Sequence, residues 1–441
     1  MTSDPQAILN SLDHRVEGIL DACTACGACV DVCPTPKINE IEASDPEQIT
    51  SGVLDILRSG SGAENSESWA EDCCGSGFCL SVCEHGINPR FMLTMARRAL
   101  LKQQPLNDRK YQGKVDFKLM SRGVRLISRL QLPPDLMARL SPSSHPNRDE
   151  APDFIFYTGC NMLKTPHIGL LCMDVLDLLD ASYEVHGGPS NCCGILQLRT
   201  GDDESAVRQG GKTIERFTAT GASQVLSWCP TCQIHFGETL LPSYAPDGVK
   251  PFEITMFPVF LAQQLDRLKP LMTRRVNKRV ALHEYPGSPG VTEAVIELLS
   301  AIPGIELVDL DLPRAGYQMS SLTNPEYAKE HLAKLLRAGK AANITTFAGV
   351  YHADHRELLT HEPHWPFEVV NYMDLIGESL GIHRPDVFKR LKLMQDADQI
   401  LTDAKQEVAQ NNLNLEDTRD VILNLMLNEK VLDTDPKTHR F

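Results

Sequence analysis

The chain has 441 residues, enough for two to four domains with buried cores, and its 42% hydrophobic and 23% charged composition is that of an ordinary globular protein. A formal net charge of −15 argues against a nucleic-acid partner, and no apolar run is long enough to span a bilayer. Nothing at Met1-Thr2-Ser3-Asp4 looks like a secretory leader, so the expectation is a cytoplasmic chain whose 14 cysteines are reduced and serve clusters or catalysis rather than disulfides.

In chain order, Ile8, Leu9, Leu12 and Val16 fall on one side of a predicted short amphipathic helix. Cys23-x-x-Cys26-x-x-Cys29-x-x-x-Cys33-Pro34 follows and resembles the cluster-binding run of bacterial ferredoxins. In that run a tight loop wraps three thiolates and backbone N–H groups around a cubane, and the fourth cysteine ligates the other cluster. Zinc is the competing reading, but zinc sites usually use paired knuckles rather than four cysteines in one run. Residues 36 to about 70 are polar and read as helix and loop.

The partner motif is Cys73-Cys74-Gly75-Ser76-Gly77-Phe78-Cys79-Leu80-Ser81-Val82-Cys83. Ser76 stands where the ferredoxin pattern has a cysteine, and Glu84 where it has a proline. The spacing is similar to that of succinate dehydrogenase iron–sulfur subunits, in which three cysteines hold a 3Fe-4S cluster. Cross-ligation assigns Cys23, Cys26, Cys29 and Cys83 to one 4Fe-4S cluster. Cys33, Cys73 and Cys79 go to a second, with Cys74 a candidate fourth ligand, so a 3Fe-4S and a 4Fe-4S cluster both stay open there.

Residues 91–130 read as helical. Within 114–139, Lys118, Arg122, Arg125, Arg129 and Arg139 alternate with Leu119, Val124, Leu126, Ile127 and Leu130. Such a basic amphipathic segment fits a membrane surface or an acidic partner, but it more commonly packs on its own chain with a solvated basic face. Pro133-Pro134 and Ser141-Pro142-Ser143-Ser144-His145-Pro146 mark the end of an α-helical domain spanning 1–140.

From Ala151 the texture becomes α/β. The strand Phe154-Ile155-Phe156-Tyr157 runs into Gly159-Cys160, and a helix from Ile168 to Leu179 carries Cys172 as ordinary core. The strand Ser182 to Val185 precedes Cys192-Cys193-Gly194, and Val225-Leu226-Ser227-Trp228 delivers Cys229-Pro230-Thr231-Cys232. Ligands thus stand at strand C-termini, where open α/β sheets place their sites. Vicinal cysteines rarely pair with each other, because the disulfide geometry is strained. Five thiolates drawn from three loops are instead a natural set for an iron–sulfur cluster.

Cys160, Cys192, Cys193, Cys229 and Cys232 carry a close resemblance to the CCG domain of the B-type and D-type subunits of heterodisulfide reductase, which also occurs in glycerol-3-phosphate and glycolate dehydrogenase iron–sulfur subunits. The resemblance covers roughly residues 20–385, with a C-like part fused to a B-like part as in the D-type subunit. It implies an α+β multidomain fold: an α-helical two-cluster ferredoxin domain followed by two pseudo-repeated, Rossmann-like α/β CCG domains over 151–270 and 271–385. It also implies a non-cubane 4Fe-4S cluster on the five cysteines, with chemistry at an iron near Cys192 and Cys193.

In the second repeat, Arg279 to Pro286, Met319 to Leu322, Ile344 to Val350 and Val369 to Leu380 answer segments of the first, with Phe347 and Val350 where cysteines would stand. This repeat is expected to hold no cluster and to cover the first, with His283, Ser320 and Ser321 facing its site. His352, His355, His361 and His364 form a second candidate metal group, although scattered histidines are more often structural. Residues 386–441 read as polar helices and an acidic tail.

Gly210-Gly211-Lys212-Thr213 lacks the spacing and the preceding strand of a phosphate loop, so a flavin or nicotinamide is expected on a separate partner protein. The reading is an iron–sulfur oxidoreductase subunit acting on a thiol, disulfide or sulfane sulfur. The alternative is an electron-transfer subunit linking a flavoprotein to a quinone, through a membrane-associated partner, or to another acceptor.

Overall fold

The structure is a computed structural model describing residues 4–145, 149–284, 287–314 and 322–439. Residues 4–145 contain helices and turns only. The first helix, Pro5–Ala22, is longer than its sequence pattern suggested. Asp4 caps it by accepting the Gln6 N–H, and Pro5 supplies a preset φ at its first turn. Its apolar side buries Ile8, Leu12 and Ile19 and ends at Cys23. Pro46–Ser59 starts on an Asp45 cap and stops at Gly60, whose φ of 83° is the left-handed conformation that favours glycine. Glu64–Glu71 and Pro89–Leu101 complete this helical part.

Two four-stranded parallel sheets follow. The first contains β1 (Phe154–Gly159), β2 (Tyr183–Gly187), β3 (Gln224–Ser227) and β4 (Glu253–Met256), in the order β2-β1-β3-β4. The second contains β5 (Lys278–His283), β6 (Ile305–Leu307), β7 (Thr346–Gly349) and β8 (Glu368–Asn371), in the order β6-β5-β7-β8. In register, Ile155 lies opposite both Glu184 and Val225, and Val225 lies opposite Ile254. All six residues of β1 are buried, as expected for a central parallel strand covered by helices on both faces.

The chain runs outward from β1 to β2 on one side and to β3 on the other. A crevice therefore opens between β1 and β3 at their C-terminal ends, the position where parallel sheets place their sites. Cys160 and Cys229 leave the sheet at this crevice. Strands β4 and β6 were not legible beforehand: they are short edge strands of four and three residues, with too few alternating apolar positions to stand out.

The sheets share one core. Phe156, Leu226, Trp228 and Phe257 pack with Val295, Leu298, Ala348, Tyr372 and Ile376. The Trp228 and Tyr372 rings stack at 5.8 Å and 2° across the junction.

The basic segment forms the helix Leu106–Arg129, and its inner face is covered by its own chain. Leu126, Ile127 and Leu130 are buried with Leu335, Phe347, Val421 and Met426. Arg122 Nε donates to Asp417 Oδ1 at 2.6 Å, and Arg122 Nη1 lies 2.7 Å from Asp420 Oδ2. The C-terminal segment is thus packed rather than trailing, with Phe388, Leu391 and Ile422 fully buried. Among the described residues no helix is long and apolar enough to cross a membrane.

Leu126 is 3% exposed and Leu119 is 47% exposed on this same helix. Leu126→Ala is expected to cost about 2–5 kcal/mol and Leu119→Ala under about 0.5 kcal/mol. Thermal unfolding monitored at 222 nm reads the difference, and equal shifts would contradict the covered face.

Candidate metal centres

Five sulfurs line a single cavity of about 140 Å³ between β1 and β3. Cys160 follows β1 after Gly159 (φ +68°), where an added Cβ would stand 3.0 Å from the Cβ of Cys229, so the two loops are pressed close. The pair Cys192-Cys193 follows β2 through the turn Pro189–Asn191 and ends on Gly194 at φ +88°. A Cβ on Gly194 would meet the Ala206 carbonyl at 2.4 Å, and one on Gly210 would meet the Cys193 carbonyl at 2.7 Å. The helix Asp203–Ala219 therefore uses Gly210 to press directly against the cysteine pair. That packing role accounts for Gly210-Gly211, the pair that does not form a phosphate loop. Cys229 stands at the N-terminus of the helix Pro230–Ile234, which carries Cys232.

The sulfurs are in contact. Cys193 and Cys232 Sγ are 3.6 Å apart, and the Gly194 N–H donates to Cys192 Sγ at 3.5 Å. The Tyr157 hydroxyl lies 2.8 Å from the Asn191 carbonyl and 3.5 Å from Cys232 Sγ. Hydrogen bonds from Cys160 and Cys193 hold the Cys192 thiol well below its usual range, and one from Cys232 lowers Cys229. The donors Cys160, Cys193 and Cys232 are pushed well above the usual range by those same bonds and by burial. Like charges at contact in low dielectric oppose further ionisation, so this set cannot all be thiolate without a cation among them. A polynuclear iron centre supplies that positive charge, and the donor set fits one. None of the 14 cysteines is in a disulfide.

Within the helical part, Ala25 (φ 56°) and Gly27 (φ 77°) curl the Cys23–Cys33 run. A Cβ on Gly27 would stand 2.7 Å from the Pro46 Cβ, which restricts that position to glycine. Cys26 is exposed and Cys29 is buried 3.9 Å from Thr50 Oγ1, where burial pushes its thiol up to about 11. Thr24 Oγ1 lies 3.0 Å from His85 Nε2, which ties this loop to the turn that carries Cys83.

The second set lies beside Trp69 and Thr35. Trp69 Nε1 donates to Cys33 Sγ at 3.3 Å, and the Cys74 N–H donates to Thr35 Oγ1 at 3.1 Å. The Cys74 thiol is 3% exposed and hydrogen-bonds Cys33, lowering Cys33 to about 6 and raising itself. Burial raises Cys73 and Cys79 as well, each with a contribution from neighbouring cysteine charge.

A smaller cavity of about 40 Å³ joins the helical part to the first sheet, lined by Cys73, Arg90, Arg97 and His235 among others. It shares Ile195, Arg199 and Thr231 with the five-cysteine cavity. Arg90 is a strut between these parts: it is 3% exposed, ion-pairs with Glu238 and donates to the Gly75 and Gly287 carbonyls.

Two sequence expectations are corrected. His283 does not face the cysteines; as the last residue of β5 it lines a separate cavity with Glu284, Val308 and Leu335. Instead Tyr351, His352, Asp354 and Arg356 close the five-cysteine cavity, together with Met120 of the long helix. They do so because β7 delivers the helix His352–Leu358 at its C-terminal end. Ser320 and Ser321, and the proposed match of Met319 to Leu322, lie largely outside the described residues. The group His352, His355, His361 and His364 does not converge: His352 Nδ1 accepts from Trp228 Nε1 at 3.2 Å, whereas His355 Nε2 sits 2.6 Å from Asp386. Tyr157, Tyr351 and Arg356 had no motif to flag them, since each reaches the site through sheet topology rather than spacing.

Cys172 is fully buried inside the helix Pro166–Leu178, away from both sets. Cys172→Ala is expected to leave iron content and EPR spectra unchanged while costing about 1 kcal/mol of stability. Loss of iron in that variant would contradict the grouping.

A family model described as CCG, cysteine-rich domain, matches residues 154–237. A second, described as a 4Fe-4S dicluster domain, matches residues 22–88. The D subunit of the dihydromethanophenazine:CoB--CoM heterodisulfide reductase of Methanosarcina mazei is 27% identical over 322 residues, covering 66% of this chain and 75% of that one. Its counterpart in Methanosarcina barkeri is 26% identical over 322 residues, with the same coverage. The B subunit of the fumarate reductase (CoM/CoB) of Methanothermobacter marburgensis is 25% identical over 348 residues, 75% of this chain and 65% of that one. The chain thus joins a 4Fe-4S dicluster domain to a CCG cysteine-rich domain and is a homologue of the heterodisulfide reductase D subunits.

Proposed function

We propose that the chain is an iron–sulfur oxidoreductase subunit that carries electrons between a dicluster module and the five-cysteine site, where a thiol, disulfide or sulfane sulfur reacts. Cys23, Cys26, Cys29 and Cys83 would hold a 4Fe-4S cluster. Cys33, Cys73 and Cys79 would hold the second, with Cys74 the fourth ligand of a 4Fe-4S form or unused in a 3Fe-4S one. Cys160, Cys192, Cys193, Cys229 and Cys232 would hold the non-cubane cluster. Bound clusters supply single-electron redox capacity and, at the five-cysteine site, iron able to accept a sulfur ligand.

The observation that supports the sulfur reading is the five-thiol donor set around one cavity, which is the space the cluster itself would take, with Tyr351, His352 and Arg356 as the wall that a sulfur bound to it would face. Arg199 and Arg356 stand at the wall of that cavity, the latter paired with Glu429, and the burial of Cys192 and Cys193 at 2% and 1% exposure keeps bulk water off the reacting position. The shared wall of Ile195, Arg199 and Thr231 supports passage of electrons from the Cys73 side. A flavin or nicotinamide would sit on a partner flavoprotein.

We read the second sheet as a degenerate copy of the first, on its equivalent strand order and the buried Phe347 and Val350. No cysteine follows Cys232, so a route that parks the two sulfurs of a disulfide on two facing thiolate-held sites lacks its second site. The chain would handle one sulfur at a time, presented by a partner.

A second reading, an electron-transfer subunit linking a flavoprotein to a quinone-reactive or other acceptor, draws on the similarity to the B subunit of a fumarate reductase. Anaerobic EPR separates the two. Under the sulfur reading, a small thiol perturbs one cluster signal in the full chain and Cys193→Ala abolishes that perturbation. Signals indifferent to thiols favour the relay. With reduced viologen and a small disulfide, sustained turnover abolished by Cys193→Ala would contradict the one-sulfur account.

Replacing Cys26 by Ala is expected to remove about four irons, and Cys74→Ser, in the four-ligand form, to remove iron from the second site only. Iron quantitation checks both. Full retention in Cys74→Ser would return that site to three ligands.

A further inference from the structure

We propose that His167, His355 and Asp386 form a zinc-class metal site, distinct from the cysteine centres, that ties three separate segments of the chain together. His167 lies in the first turn of the helix Pro166–Leu178, His355 in the helix His352–Leu358, and Asp386 at the start of the helix Val387–Leu393. One ligand atom from each lies within 4.8 Å of the others.

The geometry is unusual for a merely structural histidine pair. His167 is 2% exposed and His355 is 0% exposed, and buried polar atoms are nearly always hydrogen-bonded. Yet neither ring nitrogen of His167 makes a hydrogen bond, and Nδ1 of His355 also lacks one. His167 Nδ1 stands 3.5 Å from Asp386 Oδ1, and its Nε2 stands 3.8 Å from Asp374 Oδ1. His355 Nε2 lies 2.6 Å from Asp386 Oδ2. The two rings meet edge to face at 5.7 Å.

Two imidazoles and a carboxylate are the donor set of a divalent borderline metal, and zinc takes them at about 2.0–2.2 Å. Ligand atoms around such an ion sit about 3.3 Å apart, so small side-chain rotations close the present triangle. Asp374, on the far side of His167, is placed as the carboxylate that orients a metal-bound imidazole. Asp374, Asp386 and Lys389 also line an open cavity of about 450 Å³, which gives an ion a way in.

The position gives the metal a task. The helix bearing His167 begins just after the Cys160 loop, and the helix bearing His355 closes the five-cysteine cavity. A metal here would fasten that wall from behind without touching the reacting sulfurs.

The test uses the full chain with its iron centres in place, given zinc and then dialysed. About one zinc per chain beyond iron is expected, with a zinc K-edge spectrum showing only nitrogen and oxygen neighbours near 2.0–2.1 Å. His355→Gln and Asp386→Asn should each lower retained zinc at least about tenfold, and wild type alone should gain thermal stability on zinc addition. Asp386→Asn retains a helix-capping side chain, so it isolates ligand loss from misfolding. No retained zinc, a sulfur shell near 2.3 Å from the cysteine sites, or zinc unaffected by either variant would overturn the proposal. His355→Gln and Asp386→Asn leave every cysteine in place, so their effect on retained zinc and on its nitrogen and oxygen shell is read separately from the iron–sulfur reading.

Discussion

Buried thiolates at contact distance repel one another, and low dielectric makes the repulsion severe. The crevice between β1 and β3 nevertheless gathers Cys160, Cys192, Cys193, Cys229 and Cys232 around one cavity. Much of the surrounding architecture serves that convergence. Gly159, Gly194 and Gly210 remove side chains where backbones must touch, and Asp203–Ala219 braces the cysteine pair from below. Such a set is at ease only when metal takes the thiolate charge, which makes metal loading part of folding rather than decoration.

The second sheet supplies the other wall. Trp228 stacks on Tyr372 and donates to His352, so the residue next to Cys229 is fixed by the second half of the chain. Behind His352 lies a buried charge cluster: Arg356 Nη2 is 3.0 Å from Glu429 Oε1, and Lys392 Nζ donates to the Glu429 carbonyl at 2.7 Å. Burial alone would raise the Glu429 carboxyl, but Arg356, Lys164 and Lys392 hold it well below the usual carboxylate range. The C-terminal helices thereby anchor Arg356 at the cavity, a link running from the last part of the chain to the sulfur site.

The cysteine motifs were legible because every cysteine but Cys172 sits at a recognisable spacing, and the structure brings Cys160, Cys192, Cys193, Cys229 and Cys232 to one cavity. The parallel sheets were readable from buried runs such as Phe154 to Tyr157. Three-dimensional facts without sequence period were not. The role of Arg356 depends on Glu429, 73 residues on, and His355 turns toward His167 and Asp386 rather than toward its sequence neighbours. His283 was misplaced because equivalence by strand order does not fix which loop faces the neighbouring sheet. Cys74 was ambiguous by spacing alone, and in the structure it is buried against Ile38 and Ala328 while its N–H donates to Thr35 Oγ1.

At the centre stands the proposal that Cys229 and Cys232, with the other three cysteines of that crevice, hold an iron centre of their own beside the dicluster module. Mössbauer spectroscopy on iron-57-enriched protein, wild type against Cys229→Ala/Cys232→Ala, tests it most directly. One subspectrum, amounting to about four irons, is predicted to disappear while the dicluster components keep their parameters and intensities. Unchanged iron and an unchanged spectrum in the double variant would contradict it.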